Sequence, residues 1–260
     1  MGAVARDLDE ALSRSLAWDG CFNVRDLGGL ETAAGGRTRR GAVVRADNVR
    51  RLTAAGWESA LGHGVRRLVD LRFEGEGAGE PSPPDDVEVV AVSLFGPPDP
   101  GRAKKFDDRM RDADDVAAVF ATSYINTLER SPGVIVEAVA AVADSDPGQG
   151  VVVHCFAGKD RTGIIAALLL GVAGVPDEIV AADYAASGPG VEALSAPWFA
   201  KADSDEVLAL RRRVVQAPHA AMAAVLAWLR ADRGGADAYL RDAGLTDAQL
   251  ERLRVRLIEG

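Results

Sequence analysis

The chain has 260 residues, 48% of them hydrophobic, with a net charge of −9, two cysteines and three histidines. It is long enough for a sizeable core, and the acidic balance argues against nonspecific nucleic-acid binding, which needs basic surface to displace counterions. Two cysteines exclude a disulfide framework, no Cys/His spacing resembles a zinc site, and neither metal nor cofactor is expected.

The opening residues Met1-Gly2-Ala3-Val4-Ala5-Arg6-Asp7 lack a basic segment followed by an apolar core. No signal peptide is therefore read there, and a cytoplasmic protein is the expectation, with export by another route left open. Short β-rich runs alternating with helical patterns predict an α/β fold with a mainly parallel sheet. Strands are expected at 42–45, 67–71, 87–93 and 151–154. A helix is expected at 54–61, capped by Thr53 and ended by Gly62 and Gly64.

Residues 74–85 and 96–114 are rich in Gly, Pro and charge and read as loops, or as a lid ordering over a site. Helices follow near 115–130 and 133–143. The longest apolar stretch, residues 164–175, is broken by Gly171 and Gly174 and is too short to span a membrane, so no stable insertion is expected. From Asp177 onward the pattern is almost wholly helical. Asp203-Ser204-Asp205-Glu206 opens one helix, Pro218 sits in the first turn of another, and Thr246-Asp247-Ala248-Gln249 opens the last. No composition shift marks a linker, so residues 1–260 are read as one domain, with 96–130 as a candidate acid loop or lid region.

The informative segment is Val151-Val152-Val153-His154-Cys155-Phe156-Ala157-Gly158-Lys159-Asp160-Arg161-Thr162-Gly163. A buried strand runs into a short loop, and the loop into an apolar helix. Five residues separate Cys155 from Arg161, enough for the chain to curl into a cup of inward N–H groups. Such a nest at a helix N-terminus suits a phosphate dianion. Phe156, Ala157, Gly158, Lys159, Asp160, Arg161 and Thr162 are the expected phosphate-binding residues, with Gly158 supplying a backbone angle other residues resist. The same partial positive charge favours the thiolate of Cys155, the nucleophilic form. Arg161 offers a planar fork for two phosphate oxygens. Attack then gives a cysteinyl-phosphate that water hydrolyses. Thr162 is placed to donate to the departing sulfur, and His154 to orient the loop from behind. A nucleotide-binding Walker loop does not fit, because Val153 stands where Gly is needed and Asp160 where Ser or Thr is needed.

These residues resemble the signature of the bacterial protein-tyrosine/serine phosphatase family. Asn23-Val24-Arg25-Asp26, the helix around residues 179–184 and the ending Tyr239-Leu240-Arg241-Asp242-Ala243-Gly244 resemble it as well. The resemblance implies a cysteine-phosphatase fold and substrates among phosphotyrosine, phosphoserine/threonine and phosphoinositides. It also departs from the family: Ala46 replaces the usual Ser, and the helical lid insertion is shorter here, within residues 100–130. Two other readings stand beside it, a soluble inositol-polyphosphate phosphatase and a noncatalytic phospho-ligand binding module. The oligomeric state is not legible.

Expelling an alcohol or phenol requires a proton donor. Two candidates remain open: Asp99, on the Pro-rich loop after the strand at 87–93, and Asp160, inside the cup. Lys159 resembles the lysine of phosphoinositide 3-phosphatases, which implies contact with an additional substrate phosphate; the other reading is a solvated loop lysine. Arg102, Lys104, Lys105, Arg109 and Arg111 read as a solvated face, because Asp107 and Asp108 interleave with them. Arg25, Asp26, Asp70 and Arg72 read as structural ion pairs. Cys21 is a candidate partner for Cys155 under oxidation.

Overall fold

The structure, a computed structural model, describes residues 11–259; the opening segment read for a signal peptide lies outside them. Five strands, β1 (Arg25–Asp26), β2 (Val43–Ala46), β3 (Val65–Asp70), β4 (Glu88–Ala91) and β5 (Gly150–His154), form one sheet in the order β1-β2-β5-β3-β4. Only β1 runs antiparallel to its neighbour. Strand β5 is buried along its whole length and pairs on both sides, which is why it reads as an unbroken apolar run. The two-residue side-chain period divides the core. Val43, Val69, Val151 and Val153 enter the larger cluster, while Val44, Leu68 and Val152 enter the smaller one on the opposite face.

The smaller face is covered by α1 (Ala54–Gly62), whose N-cap Thr53 accepts from the Gly56 amide. The larger face carries α2 (Pro100–Asp112), α3 (Val116–Arg130), α4 (Pro132–Ala143) and α5 (Asp160–Val172). Helix α5 is buried almost all round, as befits the helix that follows the central strand. The C-terminal part supplies α6 (Asp177–Ala185), α7 (Gly188–Phe199), α8 (Asp205–Val214), α9 (His219–Arg233), α10 (Ala236–Asp242) and α11 (Asp247–Leu257). Ser204 caps α8, and Thr246 with Gln249 forms a capping box on α11. Among the described residues no helix is long and apolar enough to cross a membrane.

Two expectations need correction. Residues 96–114 are not an open loop: most of them form α2, with Asp99 as N-cap and Pro100 at the first helical position. Its inward face touches the core only through the buried Met110 and part-buried Phe106, so the apolar periodicity that marks most helices is nearly absent. The pairs Lys104–Asp108 and Arg111–Asp108 supply local support instead. Strand β1 was also not expected, because Arg25 and Asp26 are charged. They are buried at 2% exposure, since each charge finds partners inside the fold.

Candidate active site

Cys155 lies directly after the carboxyl end of β5, between β2 and β3, at the sheet edge where open α/β folds bind ligands. The loop that follows is shaped by its carbonyls. The Phe156 carbonyl accepts from the Asn48 amide at 3.2 Å, that of Ala157 from Asn23 Nδ2 at 2.8 Å, and that of Gly158 from Arg45 Nη2 at 2.8 Å. A peptide plane points its N–H opposite to its C=O, so these bonds turn the amides of Ala157, Gly158 and Lys159 to the other side, into the cup. No amide from Phe156 to Thr162 finds an acceptor among the described residues. Gly158 has φ +66°, and a Cβ there would stand 2.6 Å from the backbone of Ala46 and Asp47, so the loop lies directly on the end of β2.

Behind the cup the chain is braced by a buried charge cluster. Asp183 on α6 meets Arg14 at 2.5 Å, Arg45 at 2.6 Å and Arg25 at 3.5 Å, all almost fully buried. Burial disfavours the Asp183 charge, but the three guanidiniums outweigh it and hold the carboxyl far below its ordinary range. Arg45 therefore reaches the Gly158 carbonyl from an anchored position. His154 is fully buried, with Nδ1 3.4 Å from the Cys155 carbonyl and Nε2 3.6 Å from Asp70. Burial lowers its pKa to about 4, so it is neutral at pH 7 and sits behind the loop.

Arg161 does not point freely into solvent. Its Nη1 and Nη2 donate to Glu76 at 2.6 and 2.8 Å, an end-on bidentate pair, and the Phe95 ring lies 5.6 Å from its guanidinium carbon. Burial alone would weaken its charge; Glu76 and Cys155 more than reverse that and hold it above the ordinary arginine range. The end-on grip leaves the Nε side of the guanidinium for a second bidentate partner.

Asp160 occupies the first turn of α5. Tyr124 donates to its Oδ1 at 2.5 Å, and Tyr124 in turn takes a hydrogen bond from Tyr184 at 2.8 Å. Burial and the Asp160 charge hold the Tyr124 hydroxyl protonated well beyond its ordinary range. Oδ2 of Asp160 has no hydrogen-bond partner among the described residues, so one carboxyl oxygen is fixed and the other is available. Asp160 caps no backbone amide of its own helix.

The other expected residues divide. Phe156 is 43% exposed on the rim, with Arg51 over its ring at 4.8 Å. The Lys159 side chain is turned to other work: its ammonium donates to the carbonyls of Val214 and Gln216 at 2.9 Å each, lies 4.0 Å from the Phe120 ring centre and is 3.3 Å from Asp160. Burial lowers its pKa. Thr162 Oγ1 is buried and makes no hydrogen bond, to Cys155 or to any other described residue. Asp99 is exposed and accepts from the amides of Gly101 and Arg102, which lower its pKa; nothing ties it to the loop at 155–161 among the described residues. Asp70 and Arg72 form the expected ion pair and extend it to Glu80, and no group of metal-ligating side chains occurs among the described residues.

Sequence reasoning missed Glu76, Tyr124 and Tyr184. Glu76 lies within a Gly-rich run after β3 that offers no periodicity, although its place beyond the same sheet edge as Cys155 was a usable signal. The two tyrosines stand 36 residues before Asp160 and 24 after it, and only the packing of α3 and α6 against α5 brings them together.

A mostly parallel five-stranded sheet whose central strand ends at a cysteine, followed by a loop with unpaired amides and then a helix, is the architecture of the cysteine phosphatases. The chain belongs to the tyrosine phosphatase family, whose sequence profile matches residues 16–259. It is 32% identical over 231 residues to a tyrosine-protein phosphatase of Nostoc commune, covering 83% of this chain and 74% of that protein. It is 27% identical over 281 residues to the triple specificity protein phosphatase PtpB of Mycobacterium tuberculosis, covering 90% and 96%.

Proposed function

We propose that this phosphatase works through a cysteinyl-phosphate, with Cys155 as nucleophile, Arg161 as phosphate clamp and Asp160 as proton donor. One observation carries the reading: Cys155 opens a loop whose amides find no acceptor among the described residues, and Arg161 at its end lies near enough for Cys155 to support its charge. The loop amides and the Nε side of Arg161 hold the three non-bridging oxygens. The Cys155 thiolate attacks phosphorus, the ester P–O bond breaks, and the leaving oxygen takes a proton from Oδ2 of Asp160. Water then attacks phosphorus and gives its proton to the Asp160 carboxylate; the S–P bond breaks, releasing phosphate and restoring the thiolate.

Asp160 is preferred to Asp99 because it closes the loop that Cys155 opens, whereas nothing ties Asp99 to that loop among the described residues and the amides it caps hold it ionised. Phosphotyrosine is the first substrate class, in keeping with the family, and phosphoserine/threonine and phosphoinositides stand beside it as the sequence resemblance implies; the mycobacterial relative is named for triple specificity. Lys159 is assigned to the phosphate through its backbone amide, because its ammonium is engaged with the carbonyls at the end of α8. The test is phosphate release from p-nitrophenyl phosphate, with chelator and reductant present, by the wild type and Cys155→Ser. Turnover lost in the variant supports the thiolate mechanism. A variant as active as the wild type removes Cys155 from the nucleophile's role.

A further inference from the structure

The basic cluster around residues 102–111 is divided by α2 into two faces. Lys104 and Arg111 turn to Asp108, and Arg111 also to Glu206, so that face neutralises itself. Arg102, Lys105 and Arg109, at helical spacings of three and four, face the other way and line a cavity of about 550 Å³ between α2 and α3. Arg130 joins them from α3. Four cations thus meet one carboxylate, Asp99, on a chain whose net charge is −9. Arg102 is partly committed, to the Phe95 carbonyl and to Asp99. Lys105, Arg109 and Arg130 have neither a hydrogen-bond nor an ion-pair partner among the described residues. Four like charges gathered around one counter-charge raise one another's energy, and an incoming anion relieves it.

The cavity adjoins the catalytic cup. Phe95 lines it and also stacks near Arg161, and helix α3 presents Phe120 and Tyr124 to Lys159 and Asp160 while the next stripe, Ser123, Asn126 and Thr127, lines the cavity. We propose that this cavity is a specificity pocket for acidic side chains of a phosphopeptide, two to four residues from the phosphorylated one. The proposal rests on the phosphatase reading above and names its substrate class. Crossing the 5.6 Å from Arg161 to Phe95 and the ring beyond takes an extended peptide, at about 3.4 Å per residue, two or more residues. The hydroxyl and amide side chains of α3 suit the polar backbone of such a segment. A membrane-borne headgroup fits less well: none of the large exposed hydrophobic side chains lines this cavity, and an acidic chain is repelled by an anionic bilayer.

The experiment compares phosphotyrosine peptides carrying Glu at positions two to four on either side with the same peptides carrying Gln. Substrates are assayed with the wild type and with Lys105→Ala/Arg109→Ala. The wild type is expected to favour one acidic series by about tenfold in kcat/KM, through KM and with strong salt dependence. The double variant loses that preference while its turnover of p-nitrophenyl phosphate is unchanged. Equal rates on Glu and Gln peptides, or a preference surviving in the double variant, overturn the proposal. So does a double variant impaired only on vesicles containing phosphoinositide, which would give the pocket to a lipid headgroup. Silence of the wild type on p-nitrophenyl phosphate sinks the phosphatase reading instead. The pocket is then decided by fluorescence anisotropy of a labelled Glu peptide: Cys155→Ser protein binds it at least as strongly as the Gln peptide plus that tenfold margin, or the proposal fails.

Discussion

Asp160 shows how one side chain can be held at one end and left available at the other. Tyr124 fixes Oδ1, Tyr184 fixes Tyr124, and Oδ2 is left to meet a leaving group. Asp160→Asn keeps the shape and removes the proton. We expect transfer of phosphate to Cys155 from phosphoserine peptides and phenyl phosphate to slow by about 10² to 10³ in single-turnover measurements, and that from p-nitrophenyl phosphate far less, because p-nitrophenolate departs without help. Hydrolysis of the cysteinyl-phosphate, which uses Asp160 as base, slows for every substrate. Asp99→Asn leaves both rates near wild type. The reverse ranking of the two variants would return the acid to Asp99. Glu76 acts on the reaction through Arg161, as a positioning residue. Glu76→Ala frees a long side chain whose fork must meet the phosphate squarely, and kcat/KM is expected to drop by about 10- to 100-fold. Glu76→Gln, which still accepts one hydrogen bond, recovers part of the loss. An unchanged value in Glu76→Ala would show that the loop alone orients the arginine.

At the scale of elements, the loop between β5 and α5 is shaped by β2 as much as by its own residues. Ala46 and Asp47 leave no room for a side chain on Gly158, and the positive φ disfavours one in any case. Gly158→Ala is therefore expected to push the loop off β2, at a cost of about 1–3 kcal/mol in stability. Phosphate binding should be lost with it, read as an absent inhibition by orthovanadate. The small residue at position 46 belongs to the same contact. Helix α2 teaches the complementary point. Local charge pairs and a capping aspartate hold it on the surface with little buried area, and so its sequence resembles a loop's.

At the scale of the whole molecule, stability is tied to buried ionisable groups behind the cup. His154 has a folded pKa of about 4 against an ordinary 6.5, so the unfolded chain binds the extra proton between those values. Its contribution is complete above about pH 6.5 and lost as the pH falls through 4, roughly 3 kcal/mol in all. Asp183, held low by its three arginines, adds a second loss only below about pH 4, where unfolded carboxyls protonate. Denaturant midpoints at pH 7, 5.5 and 4.5 should decline in that order, and His154→Asn should flatten the decline while lowering the value at pH 7. A wild-type midpoint constant across this range would contradict the neutral, buried histidine.

What the sequence by itself determined lies where the chemistry is contiguous. The strand, the cysteine, the five-residue loop and the arginine follow one another along twelve residues, 150–161, so a local reading suffices to propose the cup, and the alternating strands and helices recover the α/β class. The Asp160-or-Asp99 question remained open in the sequence because both are loop carboxylates at helix starts. Their difference is spatial: one meets Tyr124 from a helix far along the chain, while the other meets only its own helix. The same holds for the Glu76 grip on Arg161 and for the Asp183 cluster, which joins residues 14, 25, 45 and 183. That Lys159 donates to the carbonyls of Val214 and Gln216 at the end of α8 was likewise invisible in the sequence. Such pairings decay with distance in space and not along the chain, and only the packing of helices against the sheet decides which charges meet.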